Sequence, residues 1–190
     1  MFTLDMNELT PEQRAMVELW EAHLEAEFET KSASASCGTM TEEPYVNHIP
    51  TLTGGVGRKQ LEHFYDKYFI PHMPADVETE LISRTVGQNR IVDEFVFRCT
   101  HTVQMDWLLP GVPPTGRRLE LVLIVIISFE EGKMSEEHIH WDQASALVQA
   151  GLLDPETLPV SGAEAAHKML DRNSVPSNQL IKRTIEDELL

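Results

Sequence analysis

Hydrophobic positions recur with two different periods along the chain, and the change between them divides it. From residue 10 to about residue 31 the spacing is helical. Met16, Trp20, His23, Leu24, Glu27 and Phe28 fall on one stripe, and Glu18, Glu21, Glu25 and Glu29 take the opposite side. Thr10 followed by Pro11 is a helix start, the threonine capping and the proline at the first helical position. Residues 32–39, SASASCGT, are small enough for a short second helix or a loop. YVNHIPTLTGGVG then reads as a short strand and a glycine-rich turn. A third helix follows, with Leu61, Phe64, Tyr65, Tyr68 and Phe69 at helical spacing and Pro71 and Pro74 ending it.

From Val77 onward the period is that of strands. ETELISRTVGQNRIVDEFVFRCTHTVQMDW predicts a hairpin turning at residues 87–89, with a long second strand. On that strand Phe95, Phe97, Cys99, His101, Val103, Met105 and Trp107 share one face, which makes His101 the one polar group of an apolar row. LPGVPPTGRR is a turn, LELVLIVIISF an apolar strand, EEGK a turn and MSEEHIHWD a final strand. Short turns make these strands antiparallel neighbours, so His101 shares a sheet with His138, His140 and Asp142.

That constellation invites three readings. A His-x-His pair joined by His101 suits a metal, but the cupin-like spacing from Gly132 to His138 fails where Ala144 replaces the expected glutamate, so no metal is expected. A carboxylate beside histidines in a partly apolar cavity suits acid–base chemistry, with Tyr65, Phe97, Trp107 and Trp141 as walls. The third reading turns His138 and His140 outward and fills the core with Ile139 and Trp141. For His23 the choice lies between a boundary position and a polar pocket shared with Glu27. The glycines of GGVGR lack the Lys-Ser/Thr pair of a P-loop and serve as turn and capping residues.

Composition narrows the partners. The 190 residues fit one domain, and 31 Asp and Glu against 15 Lys and Arg give a net charge of −16. Such a surface disfavours nucleic acid and anionic lipid. The longest apolar run, LVLIVII, is strand-sized, which excludes a bilayer-spanning segment of about 20 residues. The N-terminus lacks a basic-then-apolar leader, and Cys37 and Cys99 form no disulfide framework, so a cytoplasmic protein is expected.

Several motifs together resemble one family. They are Thr100-His101-Thr102, the turn from Gly111 to Arg117, the turn Glu131-Gly132-Lys133, and Trp141-Asp142 followed by a leucine-containing helix and Gly151-Leu152-Leu153. With three helices preceding a sheet, the chain resembles the SnoaL-like polyketide or ester cyclases of the nuclear transport factor 2-like superfamily over residues 11–153. The resemblance implies an α+β cone, three N-terminal helices packed on a curved, mostly antiparallel sheet around one deep pocket. It implies a carboxylate on the last strand, matched here by Asp142, as general acid/base without cofactor or metal. It also turns His138 and His140 toward the pocket, at positions where the family more often has tryptophan and an apolar residue.

The expected site is then catalytic Asp142, His140, His101 and His138, with His23, Tyr45, Tyr65, Phe97, Trp107 and Trp141 contacting a small hydrophobic or polyketide-like molecule. The function is a cofactor-independent cyclase, isomerase, dehydratase or hydrolase; a non-catalytic ligand-binding or scaffold module is the alternative. Residues 154–190 predict a helical extension, whose stripe of Ile181, Ile185 and Leu189 suits docking on its own domain or on a partner of a homodimer.

Overall fold

The computed structural model describes residues 4–184. Six strands form one curved sheet in the order β2-β1-β6-β5-β4-β3, with β1 Met40–His48, β2 Thr53–Val56, β3 Glu78–Val86, β4 Arg90–Thr100, β5 Arg118–Glu130 and β6 Lys133–Trp141. The meander expected of the last strands is present: β3, β4, β5 and β6 pair antiparallel in sequence order. β1 pairs with β6 in parallel and with β2 antiparallel. Register shifts at Met40/Tyr45, Leu81/Ser83 and Ser128/Phe129 interrupt the ladders. Irregularities of this kind bend strands, and the sheet curls around a hollow.

Three helices close that hollow: α1 Pro11–Leu24, α2 Ala33–Gly38 and α3 Arg58–Phe64. Thr10 caps α1 in a reciprocal capping box with Gln13, which fixes where the helix begins. Met16, Val17, Trp20 and His23 are its buried face, as the stripe predicts. α1 and α3 each run on into a π-helical turn, Glu25–Glu29 and Tyr65–Phe69. Single π-turns of this sort are unusual and cluster at functional sites. Both carry residues of the cavity described below.

β2 approaches β1 closely because Gly54 has no side chain. Its φ is 129°, and a Cβ there would lie 2.1 Å from the Val46 carbonyl oxygen. α4, Gln143–Gln149, starts where β6 ends. Beyond Trp141, β6 no longer pairs with β5, and the Gln149 side chain takes over, accepting from the Glu120 amide at 2.7 Å and donating to its carbonyl at 2.9 Å. α5, Glu164–Leu170, lies against β5, and α6, Gln179–Lys182, follows. Ile181 is 47% exposed; Ile185 and Leu189 lie outside the described residues. No helix among those residues is long and apolar enough to cross a membrane.

The second strand of the predicted hairpin is shorter than its pattern implied. β4 ends at Thr100, whose amide and hydroxyl bind the Asp76 carboxylate, and residues 101–117 form turns. The alternating pattern of residues 101–107 thus arises from burial in a folded loop, which buries side chains without strand geometry.

Candidate active site

Strand parity decides which side chains enter the hollow. On the concave face β4 presents Ile91, Asp93, Phe95 and Phe97, and β5 presents Leu121, Leu123, Val125 and Ile127 opposite them. β6 continues the rows with Glu137 beside Ile127, Ile139 beside Val125 and Trp141 beside Leu123. β1 adds Val46 and His48, paired with Glu137 and Ile139. The outward residues of β6 are therefore His138, beside Ile126, and His140, beside Ile124.

This corrects the expectation that His138 and His140 face the cavity. The physical reason is plain: Ile139 and Trp141 have more apolar surface to bury than the histidines, and alternation leaves the histidines only the other face. Tyr45 is on that outer face as well, its ring 5.4 Å from that of His138. Asp142 is exposed and caps α4, accepting a hydrogen bond from the Ala144 amide at 2.9 Å. His101 is fully buried but outside the cavity. Its Nδ1 accepts from the Thr115 amide and meets the Thr115 hydroxyl, pinning the 111–117 turn. Burial lowers its pKa. The structure does not bring His101, His138, His140 and Asp142 together.

What it brings together is a different set. Phe69, Phe95, Phe97 and Trp107, with Trp20 from α1 and Ile139 from β6, wall an apolar cavity, and Glu27, Tyr65, His48 and Glu137 supply its polar groups. Space free for the centre of a water molecule amounts to about 50 Å³, so a ring-sized ligand has to part the walls. Tyr65, Phe97 and Trp107 thus line the cavity. Trp141 packs behind Trp107 at 6.3 Å between ring centroids, its Nε1 donating to Gln143.

His23 sits directly behind Glu27, with no exposed surface at all. Its Nδ1 faces the Ser36 carbonyl oxygen at 3.2 Å and the Thr39 hydroxyl at 2.7 Å, and that hydroxyl itself donates to Ser36. Nδ1 must therefore carry a hydrogen. The opposite nitrogen, Nε2, meets Glu27 Oε1 at 3.0 Å, and two lone pairs cannot face each other at that distance. A proton is shared there. Burial disfavours the imidazolium, but the Glu27 charge and hydrogen bond and the Glu137 charge outweigh it, and the His23 pKa rises above its ordinary value. The Tyr65 hydroxyl is 3.4 Å from the same nitrogen, and burial, reinforced by Glu27, raises its pKa well above 10.

Glu137 completes the group. It is 5% exposed, its carboxylate lies 3.9 Å from His23 Nε2, and it accepts no hydrogen bond from any group among the described residues. Burial, with the Glu27 charge adding to it and His23 opposing, pushes its pKa up to about 8. It therefore holds its proton more tightly than a free carboxyl does, and it faces apolar walls. One ligand atom each from His23, Glu27 and Glu137 lie within 4.8 Å of one another, close enough for a cation to gather. A cation gathered there would have to displace the proton shared by His23 and Glu27 and any proton on Glu137.

The helical stripe points to His23 and Glu27 directly. Glu137 and His48 escape a reading centred on histidine pairs, although the parity of Ile139 and Trp141 would have exposed Glu137 two residues earlier.

Comparison with known proteins is consistent with this fold. The SnoaL-like polyketide cyclase family matches residues 13–150. No curated protein matches the chain. Among solved structures, TsrD from Streptomyces laurentii is 18% identical with a TM-score of 0.56, over 80% of this chain and 100% of its own. A candidate SnoaL-like polyketide cyclase from Jannaschia sp. CCS1 is 17% identical with a TM-score of 0.58, over 77% and 99%. A protein with a ketosteroid isomerase-like fold from Catenulispora acidiphila DSM 44928, in complex with trimethylamine, is 17% identical with a TM-score of 0.53, over 76% and 96%. At such identities the shared feature is the fold.

Proposed function

The chain belongs to the SnoaL-like polyketide cyclase family, and from that premise we propose that it is a cofactor-independent acid–base enzyme acting on a small, flat, polyketide-like carbonyl compound. The observation that carries this reading is Glu137, a buried carboxyl without a hydrogen-bond partner, facing an apolar cavity beside a proton-sharing His23–Glu27 pair. A structural acid would be partnered, because an unsatisfied buried polar group costs about 1–3 kcal/mol.

The roles follow from protonation. Glu137, uncharged below about pH 8, holds a proton ready for the carbonyl oxygen of the ligand. Glu27 is supported by His23 Nε2 and lies beside Tyr65, so it can receive the proton lost from a carbon next to a carbonyl. In a ring closure, the electron pair of that C–H bond forms the new C–C bond to a second carbonyl carbon, whose oxygen takes the Glu137 proton. The His23–Glu27 and Glu137 sites then exchange one proton to reset. The apolar walls exclude water and strengthen each of these interactions. An isomerisation would use the same two transfers without the new bond.

The test is exchange of α-hydrogens for deuterium in a bicyclic ketone of the tetralone type, followed by NMR. The wild-type protein should accelerate exchange, and Glu137→Gln should lower the rate by about 10²- to 10⁴-fold with the fold intact. Ketone binding without any exchange would instead establish the non-catalytic ligand-binding reading.

A further inference from the structure

His48 stands where a hydrophobic residue would be expected. It is 3% exposed and enclosed by four aromatic rings, Phe64, Phe69, Trp107 and Trp141, with centroids 5.5 to 5.8 Å from its own. Its Nδ1 lies 3.3 Å from the Thr53 carbonyl oxygen, which can only accept, so Nδ1 carries the hydrogen. That assignment leaves Nε2 with a lone pair, and no group among the described residues donates to it. Burial lowers the His48 pKa to about 4, so the ring remains neutral at physiological pH and Nε2 remains an acceptor. A phenylalanine would fill the same space without an unsatisfied acceptor costing about 1–3 kcal/mol. The residue is more polar than the wall requires.

Register gives this acceptor a defined relation to the acid. Val46 of β1 pairs with Glu137 of β6 and His48 pairs with Ile139, so His48 is diagonal to Glu137, one strand across and two residues along. Both are among the cavity residues. Strand spacing puts their backbones about 8 Å apart. A fused-ring ligand can span that gap. Among the described residues the cavity thus offers polar groups of opposite sense: a carboxyl and the Trp107 indole N–H, which is buried without a partner, can donate, and an imidazole nitrogen accepts.

We propose that His48 is a specificity-determining residue, whose Nε2 accepts a hydrogen bond from a hydroxyl of the ligand while Glu137 meets a carbonyl of the same molecule, so that the cavity selects flat hydroxylated ketones. This rests on the placement of the carbonyl at Glu137 in the function proposed above. A ligand without the hydroxyl leaves Nε2 unsatisfied, and a ligand with a second carbonyl in its place sets two acceptors against each other. The site therefore discriminates by polarity at a position remote from the reacting atoms.

The measurement is quenching of the tryptophan fluorescence by a bicyclic ketone bearing one aromatic hydroxyl, compared with its deoxy and O-methyl analogues. The wild-type protein should bind the hydroxy ketone about tenfold more tightly than either analogue, the factor expected for one hydrogen bond to a buried group. His48→Phe should bring the three affinities together while keeping the deoxy ketone bound. His48→Gln, whose side-chain carbonyl can accept the same hydrogen bond, should retain the preference. Absence of a hydroxyl preference in the wild type, its persistence in His48→Phe, or its loss in His48→Gln overturns the proposal. Failure of catalysis is read separately: deuterium exchange without a hydroxyl preference defeats the role of His48 alone, and a hydroxyl preference that depends on His48 without exchange defeats the catalytic reading alone.

Discussion

Asp93 and Glu137 are both acids on the concave face of one sheet, 2% and 5% exposed, yet the protein treats them in opposite ways. Asp93 accepts hydrogen bonds from Trp20 Nε1 at 2.8 Å and from Arg84 Nε and Nη2 at 2.7 and 2.6 Å, and Arg84 also reaches Glu21. Every demand of that charge is met, and the network ties α1 to β3 and β4. Glu137 has no such partners among the described residues; His23 Nε2 lies 3.9 Å from its carboxylate. Burial alone therefore does not mark a reactive acid. A carboxyl saturated with donors is held in one state, whereas one deprived of them moves its proton easily.

The largest effect should come from breaking the satisfied member. Arg84→Met leaves Asp93 charged, buried and held by Trp20 alone, and removing one partner of a buried ion pair typically costs about 3–5 kcal/mol. Urea denaturation measures it. A loss below about 1 kcal/mol would mean that Asp93 is not architectural, and the contrast with Glu137 would collapse.

The unsatisfied member should reveal itself through pH. Folded Glu137 keeps its proton up to about pH 8, whereas the unfolded chain releases it near 4.5. Between those values the native state binds more protons, so stability falls as pH rises, by at most about 1.4 kcal/mol per pH unit for one proton. His23, raised above 6.5, adds stability that is present below that value and is also lost with rising pH. Denaturation midpoints from pH 5 to 8 should decline in the wild type and decline less in Glu137→Gln. Equal slopes in the two proteins would show that Glu137 titrates normally.

The smallest effect is expected outside the cavity. Asp142→Ala removes the cap of α4 and should cost about 1 kcal/mol of stability, with ketone exchange unchanged. A tenfold fall in exchange with little loss of stability would return the chemistry to Asp142 and the convex side of β6.

The sequence carried the architecture well, because helix stripes and strand alternation are consequences of burial, and burial organises the whole molecule. Met16, Trp20 and His23 on α1 and the paired rows of β4 and β5 are where periodicity puts them. The site was harder to see. Along β6 a reading guided by chemistry favours His138 and His140, whereas the free energy of burial favours Ile139 and Trp141, and Glu137 follows the latter. His48 was hidden for a related reason: its meaning lies in a lone pair left over after Thr53 has been satisfied, and hydrogen-bond accounting of that kind requires three-dimensional neighbours. The π-turns that carry Glu27 and Tyr65 have no compositional signature in EAEFE or YDKYF.

The parallel pairing of β1 with β6 also bears on how the protein reaches its native state. The two strands lie more than 80 residues apart in the chain, and β6 itself comes last in the sheet. The β3 to β6 meander joins strands that are consecutive in the chain, its longest connection being residues 101–117, whereas β1 reaches β6 across the whole of that meander. His23 and Glu27 therefore meet Glu137 only across long-range contacts. In the unfolded chain these groups stand apart in water, and the unusual proton affinity of Glu137 belongs to the assembled sheet and not to any segment of it.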